Sequence, residues 1–492
     1  MTGRPQENVV PRATPSFRTT ALIIASALFM EQLDSTVLAT ALPTMARNFR
    51  VSPLHMSAAL TAYMLGLALF IPASGYFADR FGARRVFRLA IAVFTGGSIL
   101  CGLSGSLSFL VAARLLQGLG GAMMVPVGRL VLLRTVAKKD MVSAMSWFTV
   151  PALLGPVVGP PLGGFIVTYA SWRWIFYINV PFGLLGIYLA TRFIGEIREP
   201  DPGQFDLRGF CLSSLSLGCL MYGLELASHG GESLRVLALI LGVGLAAGIA
   251  YVRHARWFSH PILDFGLMRV PTFGLSVIGG SLTRITAGAL PFLLPMMMQI
   301  GFGYSAARSG LITVSAAIGA FLMKTVTAPI LRRFGFRDTL VWNAVIASIF
   351  LAACAAFRPN WSFLAITCVL FVGGFFQSLQ FNALNTIAYA DLSQPRMSAA
   401  TSFYTTFQQL MLSLGICISS ATLALSMALS GHPTPHLADF SVAFLVVTAI
   451  SLVAAPVCAR LPRNAGAAMS GHRVGSGQPL PADLVLDPAA EH

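Results

Sequence analysis

Long apolar segments recur along the whole of this chain of 492 residues. About 20 apolar residues in a helix cross the hydrocarbon core of a bilayer, and fourteen segments fit that length. Their approximate bounds are 19–40, 56–77, 86–105, 107–131, 141–168, 174–194, 207–227, 234–253, 271–298, 309–331, 338–357, 361–388, 399–429 and 440–461. Hydrophobic residues make up 55% of the sequence, charged residues only 10%, and the mean hydropathy is +0.74. The pattern predicts an all-α polytopic membrane protein with fourteen transmembrane helices.

The basic residues predict the orientation of these helices. An even number of spans places both termini on one side, and most arginines and lysines then fall on that side. The opposite loops contain only Arg47, Arg50, Arg173, Arg235, Arg308 and Arg358. Positive loops stay in the cytoplasm, so we predict an N-in, C-in topology. Because the basic residues are spread over short loops, the net charge of +15 does not indicate nucleic-acid binding.

A repeated loop divides the chain into two halves. The sequence Asp-Arg-Phe-Gly-Ala-Arg at 79–84 matches Arg-Arg-Phe-Gly-Phe-Arg at 332–337. We therefore predict two pseudo-symmetric six-helix bundles, at 19–194 and 271–461, with two inserted helices at 207–253. The remaining segments are a cytoplasmic N-terminal arm (1–18), a linker (195–206), a cytoplasmic loop (254–270) and a disordered tail (462–492).

Two acidic residues lie inside the first apolar segment. A charged side chain at mid-bilayer costs about 2.5–3.5 kcal/mol or more, so such residues usually face a cavity, pair with a cation or carry protons. Glu31 and Asp34 are three positions apart and share a helix face. Their position indicates transport before any motif is considered.

Segment four supplies a cation at a matching depth. Counted at 1.5 Å per residue from the outer ends of their helices, Asp34 lies roughly 13 Å deep and Arg114 roughly 10 Å deep. Gln117 follows Arg114 on the same helix face. Either the carboxylates gain and lose a proton as Arg114 and water move, or the residues form a static ion pair that fixes helix packing.

Two further patterns concern conformational change. The loop after segment two contains Gly75, Asp79, Arg80, Gly82 and Arg84. It is either a tight turn with positive-inside charges or a breakable latch between helices. Segment five contains Gly155, Pro156, Gly159, Gly163 and Gly164. These residues permit close helix packing, and the same run could form a hinge between the halves.

The second half has a buried cation but no acidic residue clearly inside a span. Arg284 lies about 13 residues into segment nine. It would meet Glu31 or Asp34 across a central cavity, face water or a ligand anion, or bond backbone carbonyls. Other candidate cavity residues are Gln117, Gln299, Asn382, Asn385 and Gln408. Glu225, near the end of segment seven, is interpreted as a solvated interfacial residue rather than a second proton site.

These patterns together resemble the fourteen-span drug:proton antiporters of the major facilitator superfamily. The likeness covers about 18–461 and rests on the Leu-Asp-x-Thr, Gly-x-x-x-Asp-Arg-x-Gly, Arg-x-x-Gln-Gly and Gly-Pro-x-x-Gly runs, and on the run from Trp172 to Pro181, which begins Trp-Arg-Trp. It implies a proton-coupling role for Arg114, a latch at Asp79, Arg80 and Arg84, and a hinge in segment five. Ala39 and Ala83 depart from the usual pattern, and Ala39 removes a polar group from segment one.

The resemblance implies a proton-coupled exporter of amphipathic or lipophilic small molecules in the cytoplasmic (inner) membrane, with protons as the coupling ion. The partners considered beside substrate and lipid are periplasmic adaptor proteins, and the oligomeric state considered is a monomer. The alternatives are a dedicated exporter or proton symporter of one metabolite, such as an amino acid or organic anion, and a non-transporting membrane sensor. No cofactor and no enzyme activity are expected. His432 and His436 lack a third ligand, so no metal site is expected either.

Overall fold

The computed structural model describes residues 17–135, 141–196, 204–229, 234–258, 261–392, 396–431, 433–470 and 472. These residues form helices joined by short turns and contain no strand. Most of the predicted N-terminal arm, linker and C-terminal tail lies outside them, as does His432. Within the segment predicted to be disordered, residues 467–470 instead form a helical turn.

The helices of the first half and of the inserted pair are α1 (Phe17–Phe49), α2 (Ser57–Phe70), α3 (Ser74–Phe81), α4 (Ala83–Leu103), α5 (Leu107–Thr135), α6 (Met141–Tyr169), α7 (Trp174–Tyr177), α8 (Asn179–Phe193), α9 (Leu207–His229) and α10 (Leu234–Ala255). Those of the second half are α11 (Pro271–Met296), α12 (Ala306–Ala355), α13 (Phe363–Ile387), α14 (Met397–Ser430), α15 (Leu437–Leu452), α16 (Ala454–Cys458) and α17 (Ala467–Ser470). A π-helical turn, Met297–Gly301, extends α11.

Twelve helical segments of the described chain are long and apolar enough to cross a membrane, against fourteen predicted spans. Two helices account for the difference between these numbers. One is α12, whose 50 residues would extend about 75 Å if straight. Gly335 interrupts it with a non-helical φ of 71°. The other is α6, a helix of 29 residues that is not among the twelve.

The two halves share a large apolar core at one end of the bundle. We call this the distal end, where α1 finishes, and the opposite end, where α1 begins, the proximal end. The shared distal core includes Leu42, Met56, Phe176, Phe292, Phe357 and Phe440. Toward the proximal end, the first half has one large cluster and the second half has two, while a small cluster around Ala68 and Leu410 joins α2, α9 and α14 across the halves. The halves are thus packed tightly together at the distal end.

Among the described helices, the halves meet mainly where α6 packs against α12, α2 against α14 and α1 against α11, and α1 also contacts α12. The inserted helix α9 covers the second of these contacts, because it packs on both α2 and α14. Glu225 of α9 is buried there, and it accepts hydrogen bonds from Ser57 Oγ (2.6 Å) and Cys417 Sγ (3.2 Å). The interpretation of Glu225 as a solvated residue was therefore wrong. Its sequence position near a helix end did not reveal that α9 turns this face inward.

Candidate functional site

Asp34 lies at the centre of a polar cluster inside the first half. Its side chain accepts hydrogen bonds from Arg114 Nη1 at 2.6 Å, Gln117 Nε2 at 2.9 Å and Asn179 Nδ2 at 2.8 Å. Asp34 is 3% exposed and Arg114 is fully buried. Three donors thus converge on two carboxylate oxygens, and this arrangement fits the ionised form of Asp34.

Arg114 is held by further contacts besides Asp34. Its Nη1 also donates to Gln117 Oε1 at 2.6 Å, and its Nε donates to the Ala59 carbonyl at 3.3 Å. The guanidinium carbon lies 4.3 Å from the centre of the Tyr63 ring. Charge interactions are stronger in such a buried setting than at a surface. A change in the charge of either partner would therefore alter the charge interactions and hydrogen bonds of the whole cluster.

The sequence of α5 accounts for much of this geometry. Arg114 and Gln117 are three positions apart, so one helix face directs both side chains toward α1. Gly118 lets α5 approach α2 closely, because an added Cβ would lie 2.5 Å from the Tyr63 carbonyl oxygen. Without that close approach, the Arg114 side chain would not reach the Ala59 carbonyl and the Tyr63 ring.

Asn179 and Ser98 belong to the cluster, and the sequence analysis did not identify them. Ser98 Oγ accepts hydrogen bonds from Gln117 Nε2 at 2.7 Å and from Asn179 Nδ2 at 3.2 Å. Asn179, the first residue of α8, lies in the run from Trp172 to Pro181 noted above, so its polarity at a span start was an available signal. Ser98, one serine in an apolar helix, offered none.

Glu31 lies one turn before Asp34 but outside the hydrogen-bonded cluster. It is 7% exposed, and its Oε2 atom is buried without a hydrogen-bond partner in the described chain. Arg114 forms an ion pair with Asp34, and none is found between Arg114 and Glu31. The two carboxylates of α1 therefore have very different surroundings. A lone buried carboxylate is costly to keep charged, whereas Asp34 has a cation and two amide donors.

Arg284 occupies a separate site in the second half. It is 3% exposed, and its Nη2 donates to Asn385 Oδ1 at 3.0 Å. The guanidinium carbon lies 4.5 Å from the centre of the Tyr404 ring and 5.3 Å from that of Phe381. In this conformation Arg284 forms no ion pair with Glu31 or Asp34, which was one of the predicted arrangements. The helices α11, α13 and α14 each contribute to its surroundings.

The other candidate cavity residues are dispersed. Gln299 donates to the Thr40 carbonyl at 3.0 Å and so links the two halves at the distal end. Asn382 donates to Ser378 Oγ at 3.3 Å within α13. Gln408 is half-buried on α14. Of this group, only Asn385 contacts Arg284.

The predicted latch residues surround the turn between α3 and α4. Gly82 has a φ of 91°, which a residue with a side chain rarely adopts. Gly75 and Arg80 are exposed and Asp79 is half-buried. Arg84 contacts Glu196, just after α8, with 3.2 Å between Nε and Oε2. This contact of Arg84 therefore joins the first half to the start of the predicted linker.

The glycines of α6 line its contacts with two other helices. Added Cβ atoms at Gly155, Gly159 and Gly163 would collide with α1, and one at Gly164 would collide with α12. The nearest atom to the first would be Gln32 Cβ at 2.6 Å. Pro156 lies inside the same helix. Three glycines thus bring α6 close to the helix that carries Asp34, and a fourth brings it close to the other half.

No group of three or more histidine, cysteine, aspartate or glutamate residues that could hold a metal ion occurs in the described chain.

Comparisons with a family model and with known proteins gave matches over most of the chain. Residues 24–416 match the family model described as Major Facilitator Superfamily. The chain is 37% identical over 447 residues to a protein of Salmonella heidelberg (strain SL476) named "Putative multidrug resistance protein MdtD". It is 38% identical over 449 residues to a protein of the same name from Klebsiella pneumoniae (strain 342). Both alignments cover 90% of this chain and 94% of the relative.

Solved structures show the same fold at low identity. A bacterial homologue of the human lysosomal transporter Spinster, in an inward-facing and unoccupied conformation, superposes with a TM-score of 0.64 at 15% identity. That match covers 91% of this chain and 97% of the other. The human organic anion transporter MFSD10 (TETRAN) superposes with a TM-score of 0.60 at 14% identity, covering 90% of this chain and 100% of the other.

Proposed function

This chain belongs to the major facilitator superfamily, and on that premise we propose that it is a proton-coupled exporter of amphipathic or lipophilic small molecules. It is a secondary transporter and not an enzyme. The names of its relatives refer to multidrug resistance and support substrates of this kind. The proton-coupled part of the proposal rests on one observation: Asp34 is a buried carboxylate paired with Arg114 inside a membrane domain.

We propose fourteen spans in the cytoplasmic membrane, with both termini in the cytoplasm. Division of α12 at Gly335 supplies one span beyond the twelve, and α6 supplies another. Gly82 and Gly335 occupy matching positions of the repeated loop, and both have positive φ, at 91° and 71°. This shared turn supports two related six-helix halves. The distribution of arginine and lysine supports the cytoplasmic placement of the proximal end.

The proposed cycle is alternating access around a cavity between the halves. The large distal core joins both halves, whereas toward the proximal end each half has its own large core and only a small cluster joins them. This asymmetry supports a conformation that is closed at the distal end. Under the proposed topology, such a conformation faces the cytoplasm, from which an exporter takes its substrate.

The exchange of protons for substrate would depend on the two carboxylates of α1, Glu31 and Asp34. Asp34 has three donors and is best accommodated as an anion, whereas Glu31 has a buried oxygen without a donor and is best accommodated neutral. We propose that one proton is shared between these two sites during the cycle. Protonation of Asp34 would weaken its bond to Arg114 and change how α1 packs on α5. Each proton entering the cell contributes about 2.3 kcal/mol per 100 mV of membrane potential.

The test uses inverted membrane vesicles with an acidic interior and a pH-sensitive dye. Addition of a lipophilic cation such as tetraphenylphosphonium should release protons from wild-type vesicles, and Asp34→Asn should abolish that release. Asp338→Asn is the matched control, because Asp338 is an exposed carboxylate after the Gly335 turn. Proton release that persists in Asp34→Asn would refute the role of Asp34. A panel of lipophilic cations that moves nothing would refute the multidrug proposal.

A further inference from the structure

Arg284 is a buried cation that lacks a carboxylate partner. It is 3% exposed, forms no ion pair with any described residue, and its Nε atom is buried without a hydrogen-bond partner. A guanidinium loses much of its hydration when it is buried, and one amide oxygen with two flanking aromatic rings compensates only part of that loss. An anion that reaches Arg284 would therefore bind a guanidinium that is already positioned by the protein and still lacks a counter-ion among the described residues.

The acidic residues of the second half are all far from the middle of the bundle. Residues 271–461 contain three of them: Asp338, Asp391 and Asp439. Asp391 follows α13 at the proximal end and accepts a hydrogen bond from Thr272 Oγ1 at 2.9 Å. Asp439 accepts one from the His436 backbone at the distal end, and Asp338 is exposed. None of them can neutralise Arg284 in this structure.

The surroundings of Arg284 suit a molecule with an anionic group and an apolar body. Its guanidinium can form two parallel hydrogen bonds with one carboxylate, for which Arg is better shaped than Lys. The rings of Tyr404 and Phe381 lie beside it and can contact hydrocarbon. Phe381 and Asn385 are half-buried, so this side of the site is not fully enclosed by protein.

The repeat relates Arg284 to a residue of opposite charge. The spacing that separates Phe81 from Phe334 in the repeated loop is 253 residues, and the same spacing separates Glu31 from Arg284. Both side chains are buried, and their helices α1 and α11 pack against each other. The two halves thus place an acid and a base at equivalent positions. The repeat therefore puts both residues at similar depth in their halves.

We propose that Arg284 binds the anionic group of the transported molecule, and that the substrates of this protein include amphipathic carboxylates. The proposal rests on the exporter function proposed above, and it narrows the substrate class. The carboxylate bonds to the guanidinium while its apolar part contacts Phe381 and Tyr404. No covalent step is involved.

The experiment measures binding to the purified full-length protein in nanodiscs. The ligands are 1-naphthylacetate, 4-phenylbutyrate and decanoate, each compared with its primary amide, which has nearly the same shape without the charge. At least one carboxylate should bind about 10- to 100-fold more tightly than its amide. Arg284→Gln should remove that difference, and Arg284→Lys should retain part of it. Arg308→Gln, which removes an exposed arginine at the distal end, is the matched control and should bind like the wild type.

A second measurement separates ligand binding from a structural role. Removal of a buried, uncompensated charge should not destabilise the protein, so Arg284→Gln without ligand should melt at the wild-type temperature or above it. A clear fall in melting temperature would assign Arg284 to the fold and overturn the proposal. Equal affinities for carboxylate and amide, unchanged binding in Arg284→Gln, or no binding of any carboxylate would overturn it too.

This result is independent of the proton test. Proton release by tetraphenylphosphonium depends on Asp34, and carboxylate binding depends on Arg284. If the carboxylates fail to bind while Asp34-dependent proton release is intact, the substrate proposal is refuted and the exporter proposal stands. If tetraphenylphosphonium releases no protons while carboxylates bind through Arg284, the multidrug proposal is refuted and the carboxylate site stands.

Discussion

Replacing Asp34 by asparagine, alone and together with Arg114→Gln, distinguishes a coupling site from a static ion pair. In Asp34→Asn the hydrogen-bonding shape is largely kept, but Arg114 remains charged, fully buried and without its counter-ion. In the double variant neither charge is present. The two variants therefore differ in one respect, the uncompensated guanidinium.

The expected loss of stability follows from the geometry. The two charged groups are in direct contact at 2.6 Å, and at an effective dielectric constant of 20 two unit charges about 4 Å apart attract by roughly 4 kcal/mol. Loss of one partner of a buried pair typically costs about 3–5 kcal/mol, whereas replacing both partners is often nearly neutral. We expect Asp34→Asn to lose about 3 kcal/mol. We expect the double variant to lie within about 1 kcal/mol of the wild type.

Denaturant unfolding in micelles measures this stability, and the vesicle assay measures proton release from the same preparations. A coupling site predicts that the double variant regains stability but not substrate-driven proton release, because Glu31 has lost Asp34, the site with which it would share the proton. A static pair predicts that stability and transport recover together. Proton release in a stable double variant would therefore refute the proposed role of Asp34.

Three further predictions follow from the same contacts. Asn179→Ala should cost about 1–3 kcal/mol and weaken proton release, because it removes a buried donor to the carboxylate; wild-type proton release would contradict this. Gly159→Ala should lower stability by about 1–3 kcal/mol and slow transport, because the new Cβ meets α1. Gly96→Ala, whose added Cβ meets no atom within 4 Å, is its control in melting and transport assays. The third variant carries Thr168→Cys and Ala307→Cys in a cysteine-free background. A disulfide between them should stop transport until it is reduced, because it holds the distal ends of α6 and α12 together. Transport in the cross-linked protein would show that these ends need not separate.

The sequence was informative about depth along each helix. Counting residues inward from helix ends placed Asp34 and Arg114 in one layer, and the structure places them in contact. Depth follows from the constant rise of a helix, so it can be predicted without knowing how the helices are arranged. The motif runs were also sufficient for the family, because their order and spacing are read directly from the chain.

The sequence was not informative about which helix faces are neighbours. The positions of Ser98 and Asn179 depend on α4 and α8 packing around α1, and no periodicity within one helix encodes that arrangement. The same lack of information about helix neighbours explains why Arg284, at a suitable depth to meet Glu31, contacts Asn385 instead. It also explains why Glu225, near a helix end, is buried between α2 and α14.

The location of the cluster constrains how a proton can drive the cycle. Every hydrogen-bond partner of Asp34 and Arg114 belongs to the first half, on α1, α2, α5 and α8. A rocking motion of two rigid halves would break none of these bonds, so its free energy would not depend on whether Asp34 is protonated. Coupling therefore requires movement inside the first half. The glycine contacts between α6 and α1 are the place to expect it, because α6 also contacts the second half through Gly164. A small shift of α1 on α6 could in this way change the contact between the halves.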